Sequence, residues 1–122
     1  MGGIVWLASY PKSGNTWMRT FLTNLMGDVS EQVDINHLKT DGIFSSREIF
    51  YAITGIEASN LTNDEIDRLR PEIYNHLSRT AEQPLYIKAH DAYTYLADGR
   101  PLFGMENTRA VYILRNPLDV AV

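Results

Sequence analysis

The sequence predicts an α/β fold built on a parallel sheet, and three observations predict it. Apolar runs of strand length alternate with segments of helical periodicity, the runs being IVWLAS at 4–9, LYIKAH at 85–90 and RAVYILR at 109–115. The runs are nearly continuous in apolar character, as suits strands covered on both faces, and strands alternating with helices imply right-handed crossovers. A stretch dense in functional groups ends each run, namely SYPKSGNTW, KAHD and RNPLD. In open parallel sheets ligands bind beyond the carboxyl ends of the strands, which is where all three fall.

Each element has its own local warrant. After the first strand and a turn, Trp17, Met18, Phe21, Leu22, Leu25 and Met26 recur at helical spacing. They give an apolar stripe on a helix of about three turns, ended by Gly27. Residues 28–44 are mixed in character and are expected to be loop. Ser45, Ser46, Arg47 and Glu48 fit a capping box, and Ile49, Phe50 and Ile53 continue as an apolar face up to Gly55. Thr62, Asn63, Asp64 and Glu65 fit a second, followed by Ile66, Leu69, Ile73, Tyr74 and Leu77, with Pro71 expected to break or kink that helix. Residues 28–80 thus form a helical insertion between the first two apolar runs. A polar connection at 91–107, carrying Gly and Pro, leads to the last run. Asn116 before Pro117 marks an N-cap with proline in the first helical position. That helix has hardly begun at Val122, so the sequence is expected to be the N-terminal part of a single longer domain.

Composition narrows the function. The 122 residues, 44% of them hydrophobic, suffice for one globular core. A net charge of −4 argues against a general nucleic-acid or membrane-surface binder, so any anion must be held by placed groups. Without cysteine there is neither a disulfide nor a thiolate metal site. No apolar run approaches the ~18 residues of a membrane span, and no signal peptide is evident, so a cytoplasmic location is expected.

The first loop reads as an anion cradle. A helix N-terminus offers unpaired N–H groups and partial positive charge. Gly14 allows close approach of the backbone, Ser13, Asn15 and Thr16 add side-chain donors, and Lys12 adds a full charge. The loop is not a Walker A motif, because its lysine precedes the glycine and no magnesium-binding aspartate is near. The anion is therefore expected to be bound without a metal.

The segment from Tyr10 to Trp17, YPKSGNTW, resembles the phosphosulfate-binding loop of the cytosolic-type sulfotransferases, YPKSGTTW, with Asn15 in place of a threonine. The segment from Arg115, RNPLDVAV, resembles the family's 3′-phosphate-binding segment, RNPxDxxVS. Lys88, Ala89 and His90 resemble its K-T-H segment, although Asp91 and Ala92 stand where Leu-Pro is usual. The resemblance implies a P-loop-like three-layer fold. It also implies the donor 3′-phosphoadenosine 5′-phosphosulfate, leaving 3′-phosphoadenosine 5′-phosphate after transfer.

Residue roles follow partly from this resemblance and partly from chemistry. His90 is the expected catalytic base toward a small-molecule hydroxyl or amine, histidine being suited to proton transfer near neutrality. Lys12 is expected to stabilise the leaving phosphate oxygen, and Lys88 the transferring group or the acceptor oxygen. Ser13, Gly14, Asn15 and Thr16 would hold the 5′-phosphate by backbone and hydroxyl groups. Arg115 would pair with the 3′-phosphate, and Trp17 is implied to stack on adenine, although its place on the apolar stripe suits a core residue equally.

The family's later glycine- and basic-rich loop is absent from the sequence. The isolated chain is therefore expected to be inactive, and marginally stable or self-associating into a homo-oligomer. An inactive nucleotide-binding fragment and a nucleotide kinase are the alternatives. The acceptor pocket would draw on residues 28–60 and 91–107. There Phe44, Phe50, Tyr51, Tyr93, Tyr95 and Phe103 suit either an apolar site or the core.

Overall fold

The first apolar run becomes the centre of the sheet. In the computed structural model, which describes residues 2–27, 32–38, 40–43 and 47–121, β1 (Gly3–Ser9) lies between two strands. These are β3 (Pro84–Ala89) and β4 (Thr108–Ile113), both parallel to it. A short β2 (Asp41–Ile43) joins the outer side of β3, also parallel, giving the order β2-β3-β1-β4. The register pairs Ala8 with Ala89 and Ser9 with Ile113, so the carboxyl ends of the three long strands are level. The α/β parallel-sheet expectation therefore holds. β2 was not foreseen in a stretch expected to be loop; three residues are too few to carry a strand periodicity.

The core lies on one face of this sheet. Ile4 and Trp6 of β1 and Ile87 and Ala89 of β3 meet Tyr74 of α3 (Asn63–Thr80), with Leu102 and Phe103 from the connection before β4. The Trp6 ring packs edge-on against Tyr74 and Phe103, at centroid distances of 4.8 and 4.9 Å. Residues 91–107 are thus more than a polar link, because Phe103 belongs to the core. α3 runs without interruption through Pro71, contrary to the expected break. Pro71 is fully buried, and its packing accompanies the helix through the missing backbone donor.

The second capping box forms as expected. The Thr62 hydroxyl accepts from the Glu65 N–H at 3.3 Å, and the Glu65 carboxylate accepts from the Thr62 N–H at 2.8 Å. Thr62→Ala is expected to cost about 1 kcal/mol. In a denaturant titration the midpoint should fall with the slope unchanged, and an unmoved midpoint would show the cap to be idle.

On the opposite face α1 (Asn15–Met26) packs with an unexpected side inward. Its buried residues are Asn15 and Thr23, while Trp17, Phe21 and Leu25 are exposed. α2 (Arg47–Thr54) follows β2 and buries Phe50. Ser45 and Ser46 of its foreseen cap, like Phe44, lie outside the described residues. α4 (Pro117–Val120) begins as expected, the Asn116 side chain accepting from the Leu118 N–H at 3.0 Å. No helix among the described residues is long and apolar enough to cross a membrane.

Candidate functional site

The loop after β1 is a tight turn in which the Tyr10 carbonyl accepts from the Ser13 N–H at 3.3 Å. Lys12 adopts φ 62°, a left-handed conformation that costs a non-glycine residue on the order of 1 kcal/mol. Gly14 is the N-cap of α1 at φ 106°. Nothing lies nearer than 4.0 Å to where its Cβ would stand, so conformation rather than space demands glycine there. No side chain caps α1, and its first turn holds no acid. The leading N–H groups thus have no side-chain acceptor of their own, whereas in α3 the Glu65 N–H is taken by the Thr62 hydroxyl.

Asn15 corrects one expectation. Its amide is turned inward, donating to the Leu7 carbonyl at 2.7 Å and to the Ser9 hydroxyl at 3.1 Å. The side chain pins the start of α1 to β1, and what Asn15 offers an anion is its backbone N–H. Thr16 is exposed beside it and Ser13 is largely buried. Trp17 is not a core residue: its ring is 69% exposed and stacks on Phe21 at 5.9 Å.

His90 follows β3 directly, with Nδ1 2.7 Å from the Ser9 carbonyl. A carbonyl can only accept, so Nδ1 carries a proton, and in the neutral tautomer Nε2 is the nitrogen with a lone pair to offer. The ring borders an open groove of about 830 Å³ that Trp6, Tyr93, Phe103 and Tyr112 also line. Of the aromatic candidates for an apolar site, Tyr93 and Phe103 face this groove, stacked 6.2 Å apart. Phe50 is buried, and Tyr51 and Tyr95 are exposed. His37 bonds to Asp34 at 2.7 Å, and His76 is exposed on α3.

Lys88 pairs in register with Leu7 and sits two residues before His90. Burial pushes its ammonium below the ordinary lysine range, and the charges of Arg19 and Lys12 push it further. Between the folded value and the unfolded 10.5, the unfolded chain holds more protons. Lys88 is therefore a cost to folding at lower pH that is relieved as pH rises through that window. The sequence reading missed Arg19. It is a lone cation within the apolar run of α1, tied by Nε to the Thr40 hydroxyl at 2.9 Å and by Nη2 to the Thr40 carbonyl at 3.2 Å. Arg115, from the far end of the chain, donates by Nη1 to the Lys12 carbonyl at 3.2 Å across a sequence separation of 103.

Lys12 and Arg19 thus lie near enough to Lys88 to act on its charge, Arg115 is bonded to the Lys12 carbonyl, and His90 is bonded to the carbonyl of Ser9, three residues before Lys12 in the chain. Residues 3–122 match the family model of the sulfotransferase domain. Over 119 residues the chain is 30% identical to a luciferin sulfotransferase of Photinus pyralis, an alignment covering 95% of this chain and 30% of that protein's length. No solved structure matches the chain.

Proposed function

The chain belongs to the sulfotransferase domain family, and from that premise we propose that its strand-end site binds 3′-phosphoadenosine 5′-phosphosulfate and serves sulfuryl transfer to a hydroxyl or amine of a small acceptor. The observation that carries the proposal is a pair of hydrogen bonds. His90 Nδ1 on the Ser9 carbonyl and Arg115 Nη1 on the Lys12 carbonyl tie three sequence-distant segments to one strand end.

The residues present fit such a nucleotide. The uncapped start of α1 and the Ser13 and Thr16 hydroxyls suit the 5′-phosphate. Arg115 suits the 3′-phosphate, and the exposed Trp17 ring is free to stack on a base. The donor, when bound, supplies a sulfuryl group activated by its anhydride bond to phosphate. Lys12 would neutralise charge on the leaving oxygen, Lys88 would steady the transferring sulfuryl group or the acceptor oxygen, and His90 Nε2 would accept the acceptor's proton.

Thermal unfolding with and without 3′-phosphoadenosine 5′-phosphate tests the reading. At a hundred times its dissociation constant the ligand should stabilise by about 2.7 kcal/mol. No stabilisation, or an equal effect of ATP with magnesium, would favour a different nucleotide enzyme. The pH dependence is a further expected result. A bound anion favours charged Lys88, so binding takes up a proton wherever free Lys88 is partly neutral. Affinity for the nucleotide should fall with rising pH before the ordinary lysine range is reached, and Lys88→Met should flatten that fall. A wild-type profile that stays level up to that range would remove Lys88 from the anion site.

A further inference from the structure

We propose that Arg70 is a positioning residue for His90, acting through Asp91. Arg70 lies on α3 with its side chain only 9% exposed, and its charge is turned toward the end of β3. There Nη2 and Nη1 reach the two oxygens of Asp91 at 3.2 and 3.5 Å. Nε donates to the Tyr74 hydroxyl at 2.9 Å, and Nη1 also reaches Asp67 on the same helix at 3.2 Å. Tyr74 is 2% exposed and packed against Trp6 of β1, so the guanidinium is anchored in the core at one end and holds a loop residue at the other.

The position of Asp91 gives this clasp its meaning. His90 is the first residue beyond β3 and Asp91 the second, where the chain leaves the ladder and bends. Among the described residues the ring itself is held by one hydrogen bond, from Nδ1 to the Ser9 carbonyl. That bond keeps the proton off Nε2 only while the backbone around residue 90 stays in place. A two-point bond from a buried arginine to the Asp91 carboxylate restrains the residue that follows His90.

The proposal takes His90 as the base from the preceding section, but its test needs no turnover, so failure of the clasp and failure of sulfuryl transfer are read separately. The readout is the ring nitrogens of 15N-labelled histidine by NMR. The chain has three histidines, and His90→Gln identifies the signals of interest. In the wild type His90 should show a protonated Nδ1 and an unprotonated Nε2. Asp91→Ala should lose this fixed pattern and average toward the other tautomer, while Asp91→Asn, which keeps an acceptor oxygen, should retain most of it. Asp67→Ala removes the other carboxylate of Arg70 without touching the clasp, and should leave His90 as in the wild type. Arg70→Met combined with Asp91→Ala should shift the pattern no further than Asp91→Ala alone, because the pair acts as a unit. An Asp91→Ala protein with the wild-type His90 pattern overturns the proposal. So does an Asp67→Ala protein that shifts as far as Asp91→Ala, since that would mean general loosening of α3.

Discussion

His90→Ala is expected to abolish transfer to an unactivated alcohol in the full-length protein while leaving nucleotide binding intact. A positioned base contributes roughly 10²–10⁴-fold. The Nδ1 bond to the Ser9 carbonyl leaves Nε2 as the only ring atom able to take a proton. The nucleotide is expected on the other side of the strand end, at Lys12 to Thr16, so the loss should appear in turnover and not in affinity for the donor. A phenol already ionised has no proton to give, and the mutant should recover part of its rate with such an acceptor. Full activity of His90→Ala on an alcohol would leave His90 a strand-end residue bonded to its neighbour and nothing more.

The second large effect is expected at Lys12. Lys12→Ala should reduce turnover by about a hundredfold, on the order of 3 kcal/mol, and weaken binding of the desulfonated nucleotide by less. Two features of the loop make alanine a clean probe. The bond from Arg115 reaches the carbonyl of Lys12, which alanine keeps. The left-handed backbone at this position strains alanine as it strains lysine, so the turn gains no relief from the change. What disappears is the charge proposed to act at the leaving oxygen. Near wild-type turnover would mean that another cation, with Arg19 and Lys88 the neighbours at hand, does that work.

The three long strands were legible because each is a nearly continuous apolar run, and their order with the helices announced a parallel sheet. β2 left no trace, since three residues carry no period. The stripe of Trp17, Phe21 and Leu25 was read correctly as a stripe, but periodicity does not say what a stripe faces. The inward side of α1 is set by the Asn15 amide on Leu7 and Ser9, which only the fold reveals. For the site, the turn residues stood out because strand ends and helix starts are visible in sequence. Arg19 did not, because its relation to Lys88 depends on α1 lying across the sheet. Nor did Asp91 declare itself, since its partner Arg70 is 21 residues away on a helix that looked like ordinary insertion.

β1 is an inner strand of the sheet whose two partners both come much later in the sequence. Gly3 finds its partner at Pro84 and Ile4 its second partner at Thr108, so neither neighbour of β1 exists until most of this sequence has been synthesised. Until then the apolar segment containing Ile4, Trp6 and Leu7 has only transient cover, and every ladder in the sheet must close a long loop before any pairing rewards it. Such a topology folds slowly and exposes its stickiest strand longest. The site inherits this timing. Arg115 reaches Lys12 only once β4 has joined β1, so if the proposed nucleotide site is right, nucleotide binding during refolding should appear no earlier than that pairing.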